Sequence, residues 1–387
     1  MNSIFQDTKV AFSLKSDSEL ERAYFLFKMI QNEPLVRIGT AVTNFALKAH
    51  LPVESLIRAS VFDHFCGGTT ATDALPVIDK MYSKNVHSVL DYSVEGKEDE
   101  AQFDAALAMG LKLLEFSKEK QAIPFTVFKP TGFGRLALYE KVGNKEVLNQ
   151  EETAEWNRVI NRYDTICKKS YEYKIPVLID AEESWMQNAA DDLIEQMMER
   201  YNKDQAIVFN TLQLYRWDRL DYLKALHKKA IAKGYHIGMK LVRGAYMEKE
   251  RERSEEKGYP SPICKDKEAT DQNYNDTLHY MMSHDNMAVF AGTHNEESSL
   301  LLMNLMEENN INKADFRVWF GQLYGMSDHI SYNLAAAGYN IAKYLPFGPV
   351  RDVMPYLIRR AEENTSVSGQ TSRELSLLKT ERKRRKV

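Results

Sequence analysis

The feature that most constrains the fold of this chain is a rhythm. From residue 87 onward, short runs rich in apolar and β-branched residues alternate with longer helical patterns. The runs are His87–Asp91, Pro124–Lys129, Pro176–Asp180, Ala206–Asn210, His236–Val242, Met287–Ala291, Phe316–Phe320 and Tyr339–Tyr344. Between them, helical periodicity predicts segments such as Asp99–Glu119, Glu152–Tyr173, Asp191–Tyr201, Arg219–Lys233, Asp271–Met282 and Glu296–Asn309. Strands separated by helices pair in parallel through right-handed crossovers. Eight such units predict an α/β fold, a (β/α)8 TIM-type barrel, with an open doubly wound sheet as the alternative.

Before the rhythm, residues 1–60 predict a helical arm packed on the barrel, carried by E-L-E-R-A-Y-F-L-F-K-M-I and two further helical patterns. Residues 61–372 form the predicted barrel, and 373–387 a basic tail. The tail reads as a solvated, frayed end, with a contact to anionic lipid as the alternative. Its E-R-K-R-R-K-V run also matches a nuclear localisation pattern weakly. The polar stretch between Arg135 and Glu155 predicts a loop excursion.

Composition narrows the classes. With 51 basic and 55 acidic residues the net charge is −4, which does not suggest a nucleic-acid binder. Cys66, Cys167 and Cys264 are an odd set without C-x-x-C spacing, which argues against a disulfide framework or structural zinc and predicts buried thiols in a reducing compartment. No apolar run reaches the roughly 18 residues that span a bilayer. Asp7, Asp17 and Glu19 near the start do not fit a signal or transit peptide. The expected location is cytoplasmic.

Some motifs carry nothing. Gly132, Gly134 and Ala137 satisfy G-x-G-x-x-A, but Pro130 and Thr131 separate them from the preceding run, so this is a decoy. No H-x-x-x-H, H-E-x-x-H or G-x-S-x-G occurs, so no catalytic metal and no nucleophile elbow is expected. Other residues are more telling. Lys129, Asp180, Gln213, Arg243, Tyr246, Thr293, His294, Asn295 and Tyr344 fall at or just beyond the ends of different predicted strands, the rim on which barrel active sites are built. After the eighth run, Y-L-I-R-R-A-E-E-N places Tyr356, Arg359, Arg360 and Glu363 on one helix, with Pro355 read as early in it. Two adjacent guanidinium forks suit a carboxylate.

Five motifs appear in order: D-A-E-E (Asp180–Glu183), K-L-V-R-G-A-Y (Lys240–Tyr246), T-H-N (Thr293–Asn295), G-Q-L-Y-G-M (Gly321–Met326) and Y-L-I-R-R-A-E-E-N (Tyr356–Asn364). Over about residues 64–373 the chain closely resembles the proline dehydrogenase family, in its single-function, mitochondrial-type branch. The resemblance implies a (β/α)8 barrel with a final helix over its mouth, FAD as cofactor, and oxidation of L-proline.

It also implies roles. Arg359, Arg360 and Lys129 match the residues that grip the proline carboxylate. Tyr344 and Tyr356 match walls of the substrate pocket, and members acting on hydroxyproline tend to have a small residue in place of Tyr344. Asp180 matches an aspartate beside flavin and substrate, and Gln213 a glutamine near flavin N5. Lys240 stands where some bacterial relatives carry an arginine against the flavin. Arg243, Thr293, His294, Asn295 and Thr270 match contacts to the FAD phosphates and adenine end, and Glu363 an acid near the ribityl chain. Glu95 matches a glutamate that pairs with the first arginine, or is an exposed loop acid.

The implied reaction passes a hydride from proline C5 to flavin N5 and yields Δ1-pyrroline-5-carboxylate. The electrons go on to a membrane quinone, with peripheral contact on the inner face of the cell membrane, and a pyrroline-5-carboxylate dehydrogenase is an implied downstream partner. The alternatives are hydroxyproline as substrate, or a flavin-free barrel that binds a carboxylate.

Overall fold

A computed structural model describes the chain except for residues 1–3, 33, 35–38, 40, 42–56, 93–97 and 367–369; side chains at 59–60 and 359–371 also lie outside the description. Eight strands are present: β1 (Val86–Tyr92), β2 (Thr126–Phe128), β3 (Val177–Ile179), β4 (Val208–Gln213), β5 (Ile237–Val242), β6 (Met287–Gly292), β7 (Val318–Leu323) and β8 (Ile341–Phe347). They form one sheet in the order β1-β8-β7-β6-β5-β4-β3-β2. From β2 to β8 each strand lies beside its sequence neighbours, and β8 lies beside β1, which is the order of a nearly closed (β/α)8 barrel. The predicted barrel is the observed fold, and the open doubly wound sheet is not.

The main helices are α1 (Asp17–Ile30), α2 (Glu100–Ser117), α3 (Gln150–Tyr173), α4 (Ser184–Tyr201), α5 (Arg219–Lys233), α6 (Met247–Lys257), α7 (Lys267–Met282), α8 (Glu296–Glu308), α9 (Asp328–Ala336), α10 (Val350–Ser366) and α11 (Gln370–Arg385). The chain divides into two compact units, Gly96–Phe320 and Met1–Glu95 with Gly321–Val387.

In the unit Gly96–Phe320, β2 to β6 pair in parallel, with Phe128 beside Ile179, Val177 beside Val208, Gln213 beside Val242 and Leu241 beside Ala291. β4 is buried along its whole length, as a strand covered on both faces must be. Phe125 meets Phe209, Phe290 and Trp319 edge-on, with centroids 5.9, 5.3 and 5.1 Å away. Gly238 makes room for this cluster, since a Cβ there would meet the Phe209 ring at 2.7 Å. The stretch between Arg135 and Glu155 is not a simple loop. It holds the helix Leu136–Gly143, whose buried Tyr139 donates to the Pro130 carbonyl at 2.9 Å, and Arg135 grips Glu155 with two donors. Gly134 serves packing, because a Cβ there would collide with Val159 at 2.5 Å.

In the other unit, β1 and β8 pair from Val86–Ile341 to Tyr92–Phe347. α1 begins with a capping box in which Ser16 and Glu19 satisfy each other's backbone N–H. Its buried residues Leu20, Ala23, Phe27 and Ile30 recur at helical spacing. Leu20, Ala23 and Phe27 meet Leu375, Leu377 and Leu378 of α11 and Phe12, while Ile30 packs with Phe62 and Phe65. The expected frayed tail is therefore an ordered helix. The apolar E-L-S-L-L half of the tail docks, and its basic half finds acids: Arg382 pairs with Glu21, and Arg385 with Asp17 and the buried Glu381. The further helical patterns expected before residue 57 lie outside the described residues. β7 and β8 both sit a little later than Phe316–Phe320 and Tyr339–Tyr344. Phe316 is exposed and its carbonyl accepts from the Trp319 indole at 3.0 Å, so it belongs to the approach to β7. All three cysteines are buried thiols.

Candidate active site

Parallel register brings the first charges together. Phe128 pairs with Ile179, and the Asp180 N–H still donates to the Phe128 carbonyl at 3.0 Å. Lys129 and Asp180, one step beyond, are therefore side by side. Lys129 Nζ lies 3.1 Å from Asp180 Oδ2, and Lys240, from within β5, pairs with Asp180 Oδ1. Burial opposes ionisation of Asp180, but the ammonium groups of Lys240 and Lys129 overcome it and hold the carboxyl below the usual range. Lys129 is 25 % exposed and Lys240 only 7 %, so Lys129 is the one able to reach an incoming anion.

Gln213 ends β4 rather than following it. Its Nε2 donates to the Glu182 carbonyl at 2.6 Å, while its Oε1 is buried without a partner among the described residues. An orphaned acceptor of this kind calls for a donor from a ligand. Arg243 follows β5 and leads into Gly244, whose φ of +111° suits glycine. The Arg243 fork donates to Asp271 at 2.5 Å, to Thr293 at 2.9 Å and to Ser298 at 2.8 Å, and it stacks on Tyr274 at 4.0 Å. Asn295 caps α8 by accepting from Ser298 N–H at 3.0 Å, and its own N–H donates to Thr293 Oγ1. His294, between them, is half-buried. This strip of donors at a helix start fits the phosphate end of a dinucleotide. Thr270 is buried, and its hydroxyl donates to the carbonyl of Asp266, the N-cap of α7. That contact does not bring it to Arg243.

The remaining expected residues belong to the other unit. Tyr344 lies in the middle of β8, not at its end, because the strand runs on to Phe347. It and Tyr356 are both buried. Tyr356 packs with Phe62, Phe65, Met326, Val353 and Leu357. Pro355 sits inside α10, not early in it, so no N–H is available there for the Arg351 carbonyl. Arg359, Arg360 and Glu363 are on α10, but their side chains lie outside the described residues, as does Glu95 entirely.

Sequence reasoning missed Glu182, Asp271, Tyr274 and Ser298. Glu182 had a signal: two residues past Asp180, it shares that residue's face of an extended chain. The other three come from α7 and α8, and nothing in their spacing links them to Arg243. Among the described residues no group of three or more His, Cys, Asp or Glu is placed to hold a metal ion, and no helix is long and apolar enough to cross a membrane.

Comparison with known proteins gives a consistent answer. The family described as Proline dehydrogenase matches residues 74–373. The chain is 36% identical over 336 residues to the carbapenem antibiotics biosynthesis protein CarD of Pectobacterium carotovorum subsp. carotovorum, covering 86% of this chain and 85% of that protein. It is 31% identical over 374 residues to mitochondrial proline dehydrogenase 2 of Arabidopsis thaliana, covering 85% and 79%. Hydroxyproline dehydrogenase of Xenopus laevis is 31% identical over 412 residues, covering 97% and 88%. A solved structure of proline utilization A from Bdellovibrio bacteriovorus inactivated by N-propargylglycine superposes with a TM-score of 0.69 at 19% identity, covering 95% of this chain and 39% of that one, a likeness of fold.

Proposed function

The chain belongs to the proline dehydrogenase family, and from that premise we propose that it oxidises L-proline to Δ1-pyrroline-5-carboxylate using FAD and passes the electrons to a quinone. The observation that carries this reading is the Lys129–Asp180–Lys240 cluster, two lysines about one carboxylate, with Lys129 and Asp180 at the ends of the neighbouring strands β2 and β3 and Lys240 within β5.

In this reading Lys129 joins Arg359 and Arg360 in gripping the substrate carboxylate, each charge-assisted contact contributing roughly 1.5–3 kcal/mol. Tyr344 and Tyr356 wall the ring, and Glu95 closes over the first arginine. Asp180 stays ionised and fixes both lysines, so it orients and does not exchange protons near neutrality. FAD, when bound, accepts the hydride that leaves ring carbon C5. Gln213 offers its unpartnered Oε1 to the flavin ring, and Lys240 lies close by. Arg243, Thr293, His294 and Asn295 hold the phosphate and adenine end, and Glu363 lies toward the ribityl chain. Quinone reduction implies contact with a membrane surface on its inner face, and the product suits a downstream pyrroline-5-carboxylate dehydrogenase.

The test is a visible absorption spectrum of the purified protein before and after anaerobic L-proline. Flavin bands that bleach with proline and little with hydroxyproline support the reading. Stronger bleaching by hydroxyproline would favour the second substrate, which likeness to the Xenopus laevis enzyme makes worth testing; the bulk of Tyr344 argues against it. A colourless protein that FAD cannot reconstitute would leave only a carboxylate-binding barrel. Arg359→Met should raise KM for proline by roughly tenfold or more while flavin is retained; an unchanged KM would remove Arg359 from the carboxylate grip.

A further inference from the structure

α6 has almost nothing apolar to bury. Its sequence is M-E-K-E-R-E-R-S-E-E-K, and its buried residues are Glu250 and Ser254, one turn apart. An ordinary surface helix docks through an apolar stripe. This one docks through polar contacts, and the central one is an acid that the reading above does not use. Glu250 is fully buried. Burying a carboxylate is costly unless its oxygens find donors.

The donors come from the start of α4. Ser184, the first residue of that helix, donates its N–H to Glu250 Oε1 and its hydroxyl to Glu250 Oε2, both at 2.6 Å. Glu183, the N-cap of α4, makes no capping bond of its own. The first N–H groups of a helix lack partners within it and favour negative charge. Glu250 therefore caps α4 from another helix. The flanking contacts run in step with it. Lys249 pairs with Glu183, and the Arg253 guanidinium lies 4.2 Å over the Trp185 ring while it pairs with Glu140. Glu183, Ser184 and Trp185 are thus each held by a residue of α6.

What this latch controls lies one turn back. The Glu250 N–H donates to the Tyr246 carbonyl at 2.9 Å and closes the first turn of α6. Between Tyr246 and Arg243 stand Gly244 and Ala245, both exposed. Arg243 anchors one end of this short turn through Asp271, Thr293 and Ser298. α6 anchors the other. We propose that Glu250 is a positioning residue for the cofactor: by latching α6 to the start of α4, it fixes the Arg243–Tyr246 turn and so keeps FAD bound. The proposal rests on the reading that Arg243 holds the FAD phosphates. It adds that the far end of that turn is set by one buried carboxylate instead of by apolar packing.

The experiment uses the holoenzyme and two readouts that need no turnover: flavin release on dilution, followed by fluorescence, and amide exchange along α4 and α6. Glu250→Ala removes both bonds to Ser184. It should speed flavin release by roughly tenfold or more and accelerate exchange across residues 247–257 by a similar factor. Ser184→Ala removes only the hydroxyl bond and should raise both rates by roughly threefold. This milder variant keeps the idea testable should Glu250→Ala fold poorly. The double variant should release flavin no faster than Glu250→Ala, because the hydroxyl has already lost its partner. Faster exchange confined to the first turn of α4, with flavin released at the wild-type rate, would mean that Glu250 only caps α4 and would overturn the proposal alone. A wild-type protein that neither holds flavin nor takes it up would bring down the FAD reading, and the cofactor role of the latch with it.

Discussion

Burial makes it costly for Asp180 to ionise, yet Lys240 and Lys129 hold its carboxyl below the ordinary range. A carboxylate so held contributes stability above its unfolded value near pH 4, and that stability is lost as pH falls through the lower folded value. Removing it takes the shared carboxylate from two little-exposed ammonium groups. Asp180→Asn should therefore cost roughly 3 kcal/mol in urea denaturation at pH 7, and adding Lys240→Met should recover part of that. A loss confined to activity would show that the ion pairs contribute little to folding. Glu182 has the opposite sign. Its folded value, about 7, lies above that of an unfolded glutamate, so the folded state holds the proton more tightly and stability falls as pH rises from roughly 4.5 to 7. Glu182→Gln lacks this penalty. Its melting temperature relative to wild type should climb across that interval and then level off; a constant difference would contradict the burial argument.

At the scale of elements, the strand-to-helix turns set the chemistry. Gly244 closes β5 at a φ of +111°, and the turn aims Arg243 at Thr293 and Ser298. Gly244→Ala should cost roughly 1–3 kcal/mol in strain and speed the loss of flavin on dilution, measured by fluorescence; a variant that keeps its flavin would show the turn to be tolerant. These turns also mark what was legible in the sequence. All eight strands were, because apolar runs bounded by turn residues recur with helices between them, and so was the place of Lys129 and Asp180 at the ends of two such runs, though not their pairing. The helix Leu136–Gly143 was hidden by polar flanks, and the ends of β7 and β8 by the exposed Phe316 and by the continuation of β8 past Tyr344. The partners of Arg243 were hidden for a different reason. Asp271, Tyr274 and Ser298 meet it only through the packing of two helices, which leaves no trace in local spacing.

At the scale of the whole chain, the two ends fold together. Residues 8–30 and 370–385 are more than 300 positions apart, yet Phe12, Leu20 and Phe27 share a buried cluster with Leu375, Leu377 and Leu378. Arg385 adds hydrogen bonds to the Phe12 and Lys15 carbonyls at 2.8 and 2.7 Å. Lys15 in turn reaches Asp328 at the start of α9, which also holds the fully buried Lys343 of β8. The basic count of the tail suggested a solvated end; its leucines decide otherwise, because each buried leucine contributes roughly 1.5–3 kcal/mol, whereas exposed charge pairs contribute at most about 1 kcal/mol. Deleting residues 370–387 uncovers the apolar face of α1. Amide exchange across residues 8–30 should then accelerate by at least roughly a hundredfold, the equivalent of one such leucine contact at 1.4 kcal/mol per factor of ten. Exchange there at the wild-type rate would mean that α1 is held by the rest of its unit and that α11 covers it without stabilising it.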